Sequence, residues 1–282
     1  MENFKDKTVI ITGGSEGVGA ATARKFAAAG ANLLLIARSK KNLEKIAEEL
    51  RPLTNVHIFV MDVSDAGACV DLFKKAEFEF GSVHVLINNA AYHKRGLAET
   101  VDADDLGRMI DVNLKAPIML MRLAIPYMRK VDGGAAIINV ASLAGRAPIP
   151  GNATYSASKF GLRIFTFALA DELRGSNIKL GVVSPGPIDT AFIMANIDDV
   201  ADVNFSQPLS TAEEVADEIL ALCLNDKREK AMPLAGAILT TLNYIFPWLR
   251  GLVQPTLERR GRRVKRELKA KIAAEARAKD KK

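Results

Sequence analysis

Short apolar runs recur at regular intervals along the first two thirds of the chain. They are Thr8–Ile11, Asn32–Ile36, Val56–Val60, Val83–Ile87, Ala136–Val140 and Lys179–Val183. Apolar residues follow one another in them with little polar alternation, as expected of strands covered by helices on both faces. Between them lie longer segments with a helical period. Gly19–Ala29, Ser39–Leu50, Ala66–Phe80, Asp105–Met128 and Ser156–Leu173 are the clearest. In Ser39–Leu50, for example, Leu43, Ile46, Ala47 and Leu50 fall on one face. Strands alternating with helices of this length predict parallel β-α-β units and a doubly wound α/β sheet. No internal repeat or linker interrupts residues 1–225. A helix is predicted to start after an N-cap at Ser210 or Thr211.

Beyond residue 228 the pattern changes. Residues 231–249 carry no charge over 19 positions, near the length of a membrane span. Pro233, Gly236, Asn243 and Pro247 argue against a clean span. The segment suits a lid, an oligomer contact or an interfacial helix, with Tyr244 and Trp248 fitting a membrane interface. The expected division is a catalytic domain over 1–228, an apolar helical extension over 229–257 and a basic tail over 258–282, amphipathic or disordered.

Charge sharpens that division. The 282 residues carry a net charge of +6, but residues 258–282 hold 12 basic and 4 acidic residues, so everything before them is slightly acidic. Val264, Leu268 and Ile272 recur every four residues along this tail as a narrow apolar stripe. Solvated tail and anionic membrane contact are both compatible with it, whereas no aromatic or motif signal supports nucleic acid. With 49% hydrophobic residues the chain has ample material for a core. Cys69 and Cys223 suggest neither a metal site nor a disulfide framework. No secretory signal is recognised at the N-terminus, so a cytoplasmic location is expected, with peripheral membrane contact as a further option.

Candidate chemistry begins after the first strand. "TGGSEGVG" places Gly13, Gly17 and Gly19 at a strand-to-helix turn, with Ser15, Glu16 and Val18 between them. Glycines there let the backbone approach a pyrophosphate at a helix N-terminus. The second strand ends in Ala37-Arg38, where an NAD site usually carries a carboxylate. Arg38 can pair with a 2′-phosphate, which favours NADP(H). Glu16 opposes that phosphate, while Ser15 and Ser39 can donate to it.

The ordered motifs resemble the short-chain dehydrogenase/reductase family over residues 5 to about 225. They are Thr12-Gly13-x-x-x-Gly17-x-Gly19, Asp62-Val63, Asn88-Asn89-Ala90, Asn113, Ser142, Tyr155-x-x-x-Lys159 and Pro185-Gly186 followed by Thr190. One departure is Ala91, where the family has glycine. Another is at the C-terminus, where the usual further strand and Gly-rich stretch are not recognised. The resemblance implies a Rossmann-type, mostly parallel sheet in a single domain with a helical extension, and an NADP(H)-dependent oxidoreductase acting on alcohol and carbonyl groups. It implies Asn113, Ser142, Tyr155 and Lys159 as catalytic residues. Gly13, Ser15, Glu16, Gly17, Val18, Gly19, Arg38, Asp62, Val63, Asn89, Ala90, Tyr155, Lys159, Pro185, Gly186, Ile188 and Thr190 are the cofactor contacts. The resemblance further implies that Thr190 holds the carboxamide, Lys159 bonds the ribose and Asn113 holds a relay water, and that the protein is a homo-oligomer.

Tyr155 and Lys159 stand one helical turn apart, so the ammonium is expected to lower the tyrosine pKa from its usual value near 10. Ser142, at a strand end, is placed to polarise a substrate oxygen. The resemblance implies that the segment after Pro185-Gly186 forms much of a substrate lid. Its Phe192, Ile193, Met194, Ile197, Val203 and Phe205 are apolar, which suits a hydrophobic ketone or alcohol and equally a helix pair packing on the domain. Residues 145–153 are expected to form the other wall, with His93 and Arg95 near the rim. A 3-oxoacyl thioester reductase and a non-catalytic NADPH-sensing protein are the alternatives.

Overall fold

The computed structural model of the chain describes residues 1–189 and 202–279. Seven parallel strands form one sheet in the order β3-β2-β1-β4-β5-β6-β9. They are β1 (Thr8–Thr12), β2 (Asn32–Ala37), β3 (Val56–Val60), β4 (Val85–Asn88), β5 (Ala135–Val140), β6 (Ile178–Pro185) and β9 (Glu229–Met232). Two-residue strands β7 (Ile188–Asp189) and β8 (Ser210–Thr211) pair separately. One face is covered by α1 (Gly17–Ala28), α2 (Lys40–Leu50) and α7 (Ala212–Leu224). The other carries α3 (Ala66–Phe80), α4 (Ala103–Ile110), α5 (Ala116–Met128) and α6 (Ala153–Glu172). The apolar strands β1, β4 and β5 thus lie buried on both sides, which their unalternating sequences predict. Thr211 caps α7 in a capping box with Glu214.

Three features differ from expectation. The long helix predicted over 105–128 contains a π-helical turn, Asp111–Lys115, between α4 and α5. Such turns insert a residue into the helical ladder and often mark functional positions; this one carries Asn113. A further strand, β9, does exist. Its sequence, Glu229-Lys230-Ala231-Met232, lacks the apolar run that betrays a strand, yet it pairs with β6 from Val182 to Pro185. Finally, the apolar stripe of the tail faces inward. The tail belongs to a helix, α9 (Leu249–Lys279), which follows α8 (Leu234–Ile245). Val264 and Leu268 pack on buried Phe205, in the 3-10 turn Asp202–Ser206. Gly261 permits this approach, since a Cβ there would sit 1.8 Å from the Asp202 carbonyl oxygen. The side chain of Ile272 lies outside those described. No helix among the described residues is long and apolar enough to cross a membrane.

A buried histidine ties the sheet together at its N-terminal edge. The Thr8 amide donates to Nδ1 of His84 at 3.1 Å. Burial, then the nearby charge of Lys7, pulls the imidazole pKa down to about 4. The unfolded chain therefore binds a proton between about pH 6.5 and 4 that the folded chain refuses, and stability falls as pH drops through that window. His84→Asn keeps an acceptor near the Nδ1 position and does not titrate. Its urea midpoint is expected to fall less between pH 7 and 5 than that of the wild type. Parallel pH profiles would show that His84 is not a major source of the acid sensitivity.

Candidate functional site

The carboxyl ends of the strands open into one continuous cleft of about 840 Å³, where ligands of doubly wound sheets collect. At β1 the chain turns through Gly13, at φ 65°, before α1. A Cβ on Gly19 would stand 2.0 Å from the Gly13 carbonyl oxygen, and one on Gly13 would stand 2.8 Å from Asn89 Nδ2. Only glycines allow this turn. It is stapled to the turn after β4: Thr12 Oγ1 accepts from the amides of Asn89 and Ala90 at 2.9 and 3.1 Å. Asn89 Nδ2 in return donates to the Thr12 and Gly13 carbonyls at 3.0 and 3.1 Å. Gly13, Ser15, Glu16, Gly17, Val18, Arg38, Asp62, Val63, Asn89, Ala90, Pro185, Gly186 and Ile188 all line the cleft. Gly19 is packed behind it. Thr190, with Phe192, Ile193, Met194 and Ile197, lies outside the described residues.

Asp62 is held ionised despite partial burial. Desolvation raises its pKa, but hydrogen bonds from Ser64 and the charges of Arg108 and Arg38 prevail. The Ser39 hydroxyl N-caps α2, accepting from the Asn42 amide. That bond uses the oxygen of Ser39 and leaves its O–H able to donate, so Ser15, Arg38 and Ser39 are the anion partners at that end of the cleft. A backbone cradle that no Cβ could enter, followed by Arg38 and Asp62-Val63 along the same cleft, fits a dinucleotide.

At the other end, Ser142, Tyr155 and Lys159 come together. Ser142 follows β5, and its hydroxyl accepts from the Ala144 amide at 3.1 Å. Tyr155 and Lys159 lie a turn apart on α6, with Lys159 Nζ 5.9 Å from the phenol centroid. The ammonium donates to the Val140 carbonyl at 2.8 Å, and burial pulls its pKa down to about 8. The expectation that Lys159 lowers the tyrosine pKa is not met. Burial raises the Tyr155 pKa, and the groups that oppose the rise are a hydrogen bond from Ser142 and the charge of Arg95.

Asn113 is fully buried behind this group. Its Oδ1 accepts from the Tyr92 amide at 2.7 Å, and its Nδ2 donates to the Tyr92 carbonyl at 2.8 Å and Ser158 Oγ at 3.3 Å. The side chain is therefore occupied in pinning the segment after Asn89-Ala90, and the π turn aims it there.

Sequence reasoning placed His93 only near the rim, yet it stacks on Tyr155 with ring centroids 4.0 Å apart and planes 18° apart. Its Nε2 lies 2.7 Å from Asn152 Oδ1. Burial, then Arg95, drives its pKa to about 4, so the ring is neutral near pH 7. Ala147, Pro148, Ile149 and Asn152 form the expected second wall. A third wall comes from the C-terminal extension: Leu239, Thr240 and Asn243 of α8 and Val253, Gln254 and Leu257 of α9. Val203 joins it, whereas Phe205 anchors α9 instead.

The family model described as short chain dehydrogenase matches residues 7–201. The chain belongs to the short chain dehydrogenase family. It is an oxidoreductase that interconverts alcohol and carbonyl groups with a nicotinamide cofactor. It is similar to sulfoacetaldehyde reductase 2 of Chromohalobacter salexigens, at 36% identity over 66% of this chain and 74% of that one. The ketoacyl reductase HetN of a Nostoc species is 30% identical over 94% of this chain and 96% of that one, so this likeness runs into the C-terminal extension. A solved metagenomic short-chain oxidoreductase in complex with NADP superposes with a TM-score of 0.69 at 28% identity, covering 81% of this chain and 97% of that one.

Proposed function

We propose that this short chain dehydrogenase is an NADP(H)-preferring carbonyl reductase for a lipophilic substrate, running in reverse as an alcohol dehydrogenase. The observation that carries the reading is one continuous cleft, lined both by Ser142, Tyr155 and Lys159 and by the extension, whose Leu239, Val253 and Leu257 stand among Thr240, Asn243 and Gln254. NADPH, when bound, supplies the hydride. The glycine turn and Asp62-Val63 hold it, and Arg38 takes its 2′-phosphate. Ser142 donates a hydrogen bond to the substrate oxygen and stabilises the charge that develops there. Tyr155 gives its hydroxyl proton to that oxygen in reduction and removes one in oxidation. Lys159 stays anchored on the Val140 carbonyl beside the phenol, while the Ser142 hydrogen bond and the charge of Arg95 favour the phenolate that remains. Neutral His93 holds the phenol ring by stacking and repels no cation. Asn113 is a positioning residue that fixes the segment bearing Tyr92 and His93.

A series of straight-chain ketones tests the substrate class. Burial of each methylene contributes about 0.8 kcal/mol, so kcat/KM is expected to rise about fourfold per carbon until the cleft fills. A flat series, or preference for a short sulfonated aldehyde such as the one named for the Chromohalobacter relative, would overturn the lipophilic reading. The name of HetN favours a second reading, reduction of a 3-oxoacyl thioester. Faster turnover of an acetoacetyl thioester than of the matched ketone would select it.

Arg38 supports the cofactor preference. Arg38→Ala removes a charge-assisted contact that contributes about 1.5–3 kcal/mol. The KM for NADPH is expected to rise roughly 10- to 100-fold, with the KM for NADH nearly unchanged. Equal losses for both cofactors would show that Arg38 does not read the phosphate.

A further inference from the structure

The face of the C-terminal extension turned away from the cleft has the composition of a docking surface. Among the described residues, eight of the fifteen exposed large hydrophobic side chains fall between 234 and 252. Leu234, Ile238, Leu242 and Ile245 form one stripe of α8, with Tyr244, Phe246, Trp248 and Leu252 close by in sequence. Leu234, Trp248 and Leu252 are each at least 65% exposed. The opposite side of α8 is committed inward, where Gly236 packs on Leu143 and Gln207; Thr241, at the edge of the stripe, accepts from Arg146 at 2.9 Å. The apolar face thus lies back to back with the cleft wall formed by Leu239, Thr240 and Asn243.

Charge decides what covers it. No acidic residue occurs from 231 to 257, and α9 then presents exposed Arg259, Arg260, Arg263 and Arg266. A twofold contact through this face would bring two such basic helices towards each other, and their repulsion opposes it. An anionic bilayer surface satisfies both components: the apolar stripe enters the headgroup boundary, and the arginines meet lipid phosphates. Because Val264 and Leu268 are used against Phe205, the apolar contact comes from α8 and the start of α9, and the tail contributes charge.

We propose that residues 234–252 and the arginines of α9 dock the protein on anionic membrane surfaces, with the outer face of α8 against the lipid. This orientation would set the cleft wall beside the bilayer and extends the lipophilic-substrate reading. The docking itself requires no substrate, so its test is independent of that reading.

Trp248 is the only tryptophan in the chain, which makes its fluorescence a direct probe. The full chain is titrated with vesicles of phosphatidylcholine alone or mixed with phosphatidylglycerol. A blue shift and co-sedimentation are expected with the mixed vesicles, weakening at high salt. In Ile238→Ser/Ile245→Ser and in Arg259→Gln/Arg260→Gln/Arg263→Gln, sedimentation is expected to need about tenfold more lipid, while circular dichroism and ketone turnover stay near wild type. The proposal is overturned if neither vesicle type shifts the fluorescence or sediments the protein. It is also overturned if Trp248 shifts on concentrating the protein without lipid while the mass doubles, which would assign the face to a second copy. Equal binding to both vesicle types would remove the role of the arginines and overturn the anionic specificity.

Discussion

Tyr155→Phe is expected to lower kcat by about 10²- to 10⁴-fold, the range contributed by a positioned general acid–base group. Only a hydroxyl is removed. The ring that stacks on His93 at 4.0 Å stays, and Lys159 keeps its anchor on the Val140 carbonyl. NADPH affinity, followed by quenching or calorimetry, is therefore expected to stay within a few-fold of wild type. Loss of turnover with binding retained would establish the phenol as the proton donor. Turnover near the wild-type rate would transfer that role to another group, and the half-buried neutral imidazole of His93 would be the first to examine. The direction of the tyrosine pKa makes this experiment informative. Burial favours the neutral phenol, the form needed to donate a proton during reduction.

Glu229→Ala is expected to cost up to about 3 kcal/mol of stability, the lower end of the cost of stripping one partner from a buried ionic cluster, because this one is only partly buried. Its carboxylate accepts from Arg146 at 2.5 Å, from Arg163 at 2.9 and 2.8 Å, and from the Ser184 hydroxyl at 2.8 Å. All three charged side chains are less than a fifth exposed. Desolvation would raise the Glu229 pKa, but the Arg163, Arg146 and Ser184 hydrogen bonds overcome it and hold it at about 2. That stability is present above about pH 4.5 and is lost as pH falls from there through about 2. The same cluster links three parts of the site. Arg163 lies one turn beyond Lys159 on α6, Arg146 follows the Ser142 turn, and Arg146 also holds Thr241 of α8. A second readout follows from this: in Glu229→Ala the KM for a long ketone should rise more than the KM for a short one, because the α8 wall loses its tether. Glu229→Gln retains acceptors and should fall between wild type and Ala in denaturant midpoint. An unchanged midpoint in Glu229→Ala would mean that the two arginines find water instead.

The central sheet was readable because its strands are buried on both faces, and burial leaves an apolar run in the sequence. β1, β2, β4, β5 and β6 all announce themselves in this way. The glycine turn was equally legible, since the close approach of Gly19 to Gly13 tolerates no other residue. The spacing of Tyr155 and Lys159 predicted a shared helix face, because an α-helix returns after about four residues. β9 was hidden for the converse reason. Glu229 makes it read as an exposed charged segment, and only folding brings Arg146 and Arg163, 83 and 66 residues away, to neutralise it. Local spacing likewise could not reveal the environment of the tyrosine. Lys159 is its neighbour in sequence, but desolvation, Ser142 and Arg95 set the direction of its pKa, and these depend on what the completed fold excludes from water. The sequence by itself determined that this chain builds a doubly wound sheet with a dinucleotide turn and a Tyr-Lys pair on one helix face, because each rests on local periodicity or a tight turn; Ser142 joined them only through the family resemblance. Tertiary structure alone decided that the C-terminal extension lines the cleft with one face and leaves an apolar face outside, because a helix with no charged side cannot signal which way it will turn.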